Sequence, residues 1–217
     1  MKLLELLQEN KGTVSSALGK EIALKVLSGN LEILLDAINF TSYDPDNIKA
    51  KNIRAGAAKI IEKVAEKKPQ LIAPYLEKLI PALSMPEPQT RWMIIMAFGY
   101  CMKDNPESAL KGIEFAKRYI EENQGVCLSG AAHLYLGQAG AYSPKKAEEV
   151  LPILLDALKH ASVNEVDWII EAFIKVCDNL TIPDKEVILN YANLYLDAPK
   201  KSTVIRIEKL KKKINEA

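Results

Sequence analysis

The sequence has few of the features that mark membrane or secreted proteins. No apolar run approaches the roughly 18 residues that a membrane-spanning helix needs. The first nine residues carry two acids within their apolar stretch and have no small-residue cleavage site, so they are not typical of a signal peptide. We therefore expect a cytoplasmic protein that has no membrane partner.

Cysteine and histidine are also scarce. The three cysteines are widely spaced, form no C-x-x-C pair, and each falls in an apolar stretch with helical periodicity (Cys101, Cys127 and Cys177). His133 and His160 are the only histidines, and neither has a neighbour spaced like a metal ligand. We expect buried, reduced thiols, because free cysteine behaves as a small apolar residue, and we expect no disulfide framework, zinc site or other cofactor.

The sequence signatures of catalysis are missing as well. There is no glycine-rich phosphate loop after a strand, no H-E-x-x-H motif and no nucleophile elbow. Ser15, Ser16 and Ser129 lie in predicted helices without a plausible histidine base that the sequence can assign to them. These absences favour a protein that is not an enzyme.

The residues that are abundant are helix formers. Alanine, leucine, isoleucine, lysine and glutamate dominate, and aromatic residues make up only 6% of the chain. Helical periodicity, interrupted by short turn-forming clusters, predicts an all-α fold of twelve helices in six antiparallel pairs. The predicted helices cover residues 2–9, 13–28, 30–40, 46–67, 70–83, 88–104, 107–122, 125–139, 144–160, 163–179, 184–197 and 201–215.

One segment recurs along the chain at a nearly constant offset. Three copies, at residues 53–62, 91–99 and 129–137, are each followed seven residues later by a proline. A fourth copy at 166–174 keeps the register but has its proline at Pro183. The offsets are 37, 38 and 37 residues, and a fixed period of this size is typical of stacked helical repeats.

A continuous array of this kind predicts one domain over residues 1–217. Within it we expect an irregular N-terminal pair at 1–28, regular repeats at 29–183 and a capping pair at 184–217. The last predicted helix has one apolar stripe and is otherwise covered by lysine and arginine, as expected of a terminal unit that faces water on one side.

The repeated pattern resembles HEAT repeats, in which a first helix with an internal proline precedes a second helix reading V-R-x-x-A-A-x-A-L-G-x-I-A. Residues 53–65 match the second-helix pattern nearly position for position, and Pro74 and Pro152 lie in the corresponding first helices. The copy at 129–137 replaces the arginine, and the copy at 166–174 replaces both the arginine and the glycine. The resemblance implies a right-handed α-α superhelix whose second helices line a concave binding surface.

Arg54 and Arg91 occupy equivalent positions in the repeat. In one interpretation each arginine binds a carbonyl or acid in the loop between repeats and stiffens the turn. In the other, both lie on the inner ridge of the superhelix and face a ligand. The sequence does not separate the two.

Trp92 and Trp168 are the only tryptophans, and both open a copy of the repeated motif. Packing in the core is one interpretation. The other follows from alkylpurine DNA glycosylases built from HEAT-like repeats, which use tryptophans, an aspartate and an arginine on the concave face. The resemblance to that class would assign those roles to Trp92, Trp168, Asp167 and Arg91.

Charge is unevenly distributed although the net charge is only +1. Residues 46–67 have a basic excess, whereas residues 142–198 hold ten acidic and five basic side chains. These runs are either solvated helix faces or the two ends of a polar groove. A pI near 7.6 argues against the strong, continuous basic field that nucleic-acid binding generally needs.

Taken together, these patterns favour a non-enzymatic HEAT-like scaffold that binds another protein or a peptide through its concave surface. The alternative is a nucleic-acid-binding protein of the alkylpurine DNA glycosylase type. The candidate contact residues are Arg54, Arg91, Trp92, His133, Asp167 and Trp168.

Overall fold

A computed structural model describes residues 2–9, 17–198 and 200–216. Every regular element in these ranges is helical, and no strand occurs in them, which confirms the all-α prediction. The chain forms two compact units, Met1–Gly112 and Ile113–Ala217.

The first unit is built around one long, almost wholly buried helix. Its α-helices are α1 (Leu3–Glu9), α2 (Ala17–Leu27), α3 (Leu31–Phe40), α4 (Lys51–Lys67), α5 (Leu76–Leu79), α6 (Pro88–Tyr100) and α7 (Pro106–Ala109). Helix α4 contacts α1, α2, α3 and α6, and 11 of its 17 residues are buried. It is therefore the central helix of this unit, because a helix that is covered on nearly every side cannot be a surface helix.

The second unit has the same plan. Its α-helices are α8 (Ile113–Glu122), α9 (Val126–Gly140), α10 (Pro144–Lys159), α11 (Val166–Val176), α12 (Ile182–Asn193) and α13 (Lys201–Asn215). Helix α9 contacts α8, α10 and α11, and α11 in turn contacts α13. Buried apolar side chains such as Leu136, Ile170 and Phe173 fill the space between these helices.

The helix predicted at 70–83 is broken in the structure. It consists of the short helix α5 flanked by 3-10 turns at Pro69–Leu71, Ala73–Tyr75 and Ile80–Ser84. Proline has no backbone N–H and clashes with the preceding turn, and three of them (Pro69, Pro74 and Pro81) fall in this short stretch. Pro152, by contrast, lies inside the continuous helix α10. The prediction of a single helix at 70–83 was therefore wrong.

Several predicted helix ends also differ from those observed. The helix predicted at 46–67 begins at Lys51, after a 3-10 turn at Ile48–Ala50. The one predicted at 107–122 is divided into α7, a 3-10 turn at Leu110–Gly112, and α8. The start of the helix predicted at 13–28 lies outside the described residues, and α2 covers its remainder.

Glycines on α9 allow α11 to approach unusually closely. A Cβ atom added at Gly137 would lie 2.7 Å from Cα and 2.8 Å from the carbonyl oxygen of Ala172 on α11. One added at Gly130 would lie 2.7 Å from the indole ring of Trp168. Real Cβ atoms do not come this close to backbone atoms, so α9 and α11 pack at a distance that only glycine permits at these positions.

Gly137→Ala is expected to destabilise the protein although alanine is a better helix former. The gain in helix propensity is roughly 1 kcal/mol, whereas overpacking against backbone costs about 1–3 kcal/mol. We expect a lower urea midpoint with an unchanged m-value. The matched control is Gly56→Ala on α4, where the added methyl meets only the side chain of Leu7, at 2.7 Å from Cδ2 and 3.8 Å from Cγ. That side chain can move, so the control should keep nearly wild-type stability. Equal stability of the two variants would contradict the close contact between Gly137 on α9 and Ala172 on α11.

Candidate functional site

The six candidate contact residues fall into two groups of three. Arg54, Arg91 and Trp92 lie in the first unit, and His133, Asp167 and Trp168 lie in the second. Their exposure differs sharply. Four are buried, with 1% exposure for Arg54, 5% for Arg91, 2% for His133 and 7% for Asp167. Only the two tryptophans are half-buried.

A polar side chain near the start of three copies of the repeated motif joins consecutive second helices. Arg54 on α4 contacts Glu87, the residue at the N-cap position of α6. In the second unit Ser129 on α9, the equivalent of Arg54, contacts Glu165 at the N-cap position of α11. Asp167 on α11, one residue further along the motif, contacts Lys200 at the N-cap position of α13. The side chain differs in charge among these copies, yet in each of them it binds the start of the next second helix.

Arg54 uses its whole guanidinium for this contact. Nε and Nη2 donate to the two carboxylate oxygens of Glu87 at 2.9 and 2.8 Å. Nη1 donates to the backbone carbonyls of Tyr43, Asp44 and Asn47 in the loop that precedes α4, at 2.8 to 3.3 Å. These contacts are the ones expected of an arginine that stiffens the loop between repeats, and they leave no side-chain surface for a partner.

Arg54→Met is expected to destabilise the first unit by about 3–5 kcal/mol, since it leaves the Glu87 carboxylate buried without its partner. The double variant Arg54→Met/Glu87→Met should recover part of this loss, because no unpaired charge remains. Urea denaturation provides the measurement. Arg118→Met is the control, because its side chain is 46% exposed and its pair with Glu122 should contribute less than about 1 kcal/mol. Equal losses of stability in Arg54→Met and in the control would argue against a stabilising role of the Arg54–Glu87 pair.

Trp92 lies on the partly exposed face of α6. The ammonium group of Lys59 is 5.3 Å from the centroid of its ring, within the range of a cation–π contact. The same ammonium group donates to Glu62 at 3.0 Å, and Lys63 extends the chain of charges to Glu66 at 2.6 Å. Trp92 is therefore held at the edge of a charged network on α4.

Two further half-buried side chains continue this face of α6, Met96 and Tyr100, each four residues after the previous one. Burial, together with the nearby carboxylates of Glu62 and Glu66, raises the pKa of the Tyr100 phenol to about 12. The phenol is therefore neutral at physiological pH. Together with Trp92 these residues form a stripe that offers apolar surface and a hydroxyl group beside paired charges.

His133 is buried inside the second unit. Both ring nitrogens are inaccessible, and neither has a hydrogen-bond partner among the described residues. Burial lowers the pKa of the imidazole to about 4, because desolvation outweighs the opposing attraction of the Glu165 carboxylate. The residue is therefore a neutral imidazole at physiological pH and is not exposed to a partner.

Ser129, His133 and Glu165 lie close together, although the sequence alone assigned no histidine base to Ser129. The serine precedes the histidine by one helical turn on α9, and its hydroxyl group donates to the Glu165 carboxylate at 2.9 Å. Nucleophilic catalysis needs a hydroxyl group that donates to the base and is open to substrate. Here the hydroxyl donates to the acid instead, and both Ser129 and His133 are buried. This geometry does not support a nucleophile.

The stability of the protein should depend on the protonation of His133. Its folded pKa of about 4 lies below the ordinary value near 6.5, so between these values the unfolded chain binds more protons. Stability should therefore fall as the pH drops from 6.5 toward 4, by up to about 1.4 kcal/mol per pH unit. His133→Met should remove this part of the slope, which urea denaturation at several pH values would measure. Leu134→Met on the same helix introduces methionine without removing a titratable group, so this control should keep the wild-type slope.

Asp167 connects α11 to the first turn of α13. Its carboxylate accepts hydrogen bonds from the hydroxyl groups of Ser202 and Thr203 at 2.8 and 2.5 Å and from the Lys200 ammonium at 2.8 Å. Burial alone would raise the pKa of this carboxyl group, but the hydrogen bonds from Lys200, Thr203 and Ser202 lower it below its ordinary value. Asp167 is therefore ionised, and both of its oxygens are occupied within the protein.

Trp168 forms one wall of a small cleft in the second unit. The cleft has a volume of about 180 Å³. Its lining combines the indole with one aliphatic side chain, two acids and two cations: Leu134, Asp167, Trp168, Glu171, Lys200 and Arg206. One side of the Trp168 ring rests on Gly130. The sequence analysis identified Asp167 and Trp168 as candidates but not the other four lining residues. The acidic excess before α13 and the basic excess within α13 could have indicated that charges from the two segments meet here.

A larger hollow of about 450 Å³ lies in the first unit, between α2 and the start of α3. Its lining residues are all exposed: Glu21, Leu24, Lys25, Ser28 and Asn30. A surface this open cannot exclude water from a ligand. The cleft beside Trp168 is therefore the better candidate site, although its volume is smaller.

The cysteines follow the prediction in two cases out of three. Cys101 and Cys177 are buried, and burial raises the pKa of the Cys101 thiol to about 12. Cys127 is exposed, so the prediction of a buried thiol was wrong there. The reason is its position in the first turn of α9, ahead of the segment that α8, α10 and α11 cover.

No protein-family model matches the sequence, and no curated protein matches it either. Within the described ranges, no helix combines the length and apolar character needed to cross a membrane. The same part of the chain contains no group of three or more histidine, cysteine, aspartate or glutamate side chains arranged to hold a metal ion.

Proposed function

We propose that this chain is a non-enzymatic, HEAT-like repeat scaffold that binds another protein through the partly exposed face of its second helices. The proposal includes the right-handed superhelix of about six antiparallel helix pairs that the HEAT resemblance implies, a single domain over residues 1–217, and a cytoplasmic location. Stacked repeats of this kind present extended surfaces that suit peptides and helices better than small molecules.

One observation carries the proposal. Trp92 and Trp168 each lie at the start of a copy of the repeated motif, one residue after Arg91 and two residues after Val166. Both remain half-buried at the edge of charged side chains, although each is large enough to fill a core. Tryptophan held rigidly in a partly desolvated setting is the residue type most enriched among the energetic hot spots of protein interfaces. A motif that keeps such a residue near the surface in both units therefore supports a binding role.

Not all six candidate residues are proposed as contacts. Arg54 and Asp167 have their polar atoms occupied by internal hydrogen bonds, and Arg91 and His133 are buried. In each unit, taken by itself, the proposed contact surface is the tryptophan and the accessible side chains beside it. Those neighbours are Met96 and Tyr100 in the first unit and Leu134, Glu171, Lys200 and Arg206 in the second.

The DNA glycosylase alternative is less well supported. It requires an aspartate that faces the substrate and stabilises a developing cationic sugar, and Asp167 is the candidate. In the structure the carboxylate of Asp167 is buried and already bound to Lys200, Ser202 and Thr203. A catalytic role would require these contacts to break, which would also release the start of α13.

Replacement of either tryptophan should weaken partner binding. Partners captured from an extract of the native cells would be purified, and their affinity measured for wild type, Trp92→Ala and Trp168→Ala. Loss of a hot spot costs about 2 kcal/mol or more, which corresponds to roughly 30-fold weaker binding. Tyr142→Ala removes an aromatic side chain that is 46% exposed and lies outside the proposed face, so this control should bind like wild type.

Two results would contradict the proposal. One is a partner whose affinity is unaffected by both tryptophan variants, provided that the variants melt like wild type. The other is tight binding of labelled duplex DNA in fluorescence anisotropy that weakens steeply with salt, because such binding indicates contacts to phosphates. In the second case a base-excision assay with Asp167→Asn as the control would test the glycosylase alternative directly.

A further inference from the structure

We propose that the cleft beside Trp168 binds a segment of a partner protein in which a large apolar side chain is adjacent to a carboxylate. This inference rests on the proposed scaffold function and specifies the chemistry of one contact within it. It concerns only the second unit and the six residues that line the cleft: Leu134, Asp167, Trp168, Glu171, Lys200 and Arg206.

The size of the cleft indicates a side chain as its occupant. A volume of about 180 Å³ is below the roughly 300–1,000 Å³ of pockets that hold drug-sized ligands. It is large enough for one apolar side chain. Leu134 and the indole of Trp168 supply apolar contact surface, and the ring is fixed in place because its other side rests on Gly130. An aromatic wall that is already fixed loses little entropy when a side chain packs against it.

The charges around the cleft favour an anion. The two acids and two cations that line the cleft balance each other, and Lys209, which lies beside the cleft and 3.7 Å from Glu171, gives the group one excess positive charge. The first turn of α13 adds the positive end of a helix dipole. Asp167 offsets part of this charge. Its two oxygens already accept three short hydrogen bonds, so they can accept few more.

The cations retain unused hydrogen-bond donors. Arg206 makes only long contacts. Its Nη1 lies 3.4 Å from the Asp167 carboxylate and donates to the Ser202 carbonyl oxygen at 3.4 Å. Its buried Nε lies 3.6 Å from Glu171 and has no hydrogen-bond partner among the described residues. Lys200 donates to Asp167 and is 41% exposed, which leaves N–H groups available to a ligand. A carboxylate at the rim would accept from both residues.

These observations select an acidic peptide segment over a phosphate backbone. The excess of one positive charge matches a single carboxylate, whereas a nucleic acid would bring several phosphates toward Asp167 and Glu171. The apolar surface of Trp168 and Leu134 requires a side chain next to that carboxylate. A leucine followed by a glutamate is the simplest segment with both properties.

The test is a two-dimensional ¹H–¹⁵N NMR titration of the full chain with blocked dipeptides. The two tryptophans give two indole signals, one from each unit, and Trp92→Phe identifies them. Acetyl-Leu-Glu-amide should shift the Trp168 signal in a saturable manner and leave the Trp92 signal unmoved. Acetyl-Leu-Gln-amide lacks the charge and should bind about tenfold more weakly, the loss expected for one charge-assisted hydrogen bond. Acetyl-Ala-Glu-amide tests the apolar requirement in the same way.

Variants of the cleft provide the matched comparison. Arg206→Gln should weaken the binding of acetyl-Leu-Glu-amide about tenfold. Lys212→Gln lies on the same helix, removes one positive charge from a side chain that is 76% exposed, and should leave the binding unchanged. If Arg206→Gln melts below the wild type, Lys200→Gln serves as the second variant, because it removes an exposed donor at the other side of the cleft.

Several outcomes would overturn the inference. They are a Trp168 signal that does not move, equal shifts with all three dipeptides, binding that Arg206→Gln and Lys200→Gln both leave intact, or a larger shift with a short thymidylate oligonucleotide. The scaffold proposal is judged separately by partner capture. If partner binding depends on the tryptophans while the dipeptide does not bind, the scaffold function stands and only this inference fails.

Discussion

Consecutive second helices pack so closely in the second unit that their other contacts follow from this short distance. In the second unit Gly130, Gly137 and Gly140 place bare backbone against α11, and at each position an added Cβ would lie within 3 Å of a neighbouring atom. A close contact of this kind buries α9 on nearly all sides. It also sets how far a polar side chain must reach to bind the next second helix, so the packing distance comes first and the polar contacts follow from it.

The polar contacts made near the start of the repeated motif illustrate this dependence. Arg54, Ser129 and Asp167 differ in charge and size, yet each binds the residue at the N-cap position of the next second helix. The N-cap residue changes with them, from an acid opposite arginine and serine to a lysine opposite aspartate. Complementary chemistry therefore maintains the same connection between helices without a common residue type. Because Arg54 and Asp167 connect consecutive second helices, they are enclosed by the protein and are not available to a partner.

The side chains that remain accessible are the ones on which a function can depend. In the first unit Trp92 lies beside a network of paired charges on α4, and in the second Trp168 forms one wall of a cleft. The basic α13 packs against acids of α11, with Lys213 bound to Asp178 at 2.8 Å at its far end. Much of the charge asymmetry along the chain is thus neutralised between neighbouring helices, and the excess of cations near Trp168 is a local feature.

The all-α fold and the places of most long helices could be predicted from the sequence, because helical periodicity, turn residues and the repeat are local properties of the chain. Clustered prolines break the helix predicted at 70–83, which periodicity alone did not reveal. Which polar residues are internal could not be predicted, because it depends on tertiary packing. Arg54, His133 and Trp168 all lie in the same repeated motif, yet the first two are buried and the third borders a cleft. Burial depends on how closely neighbouring helices pack, and residues distant in the sequence set that distance.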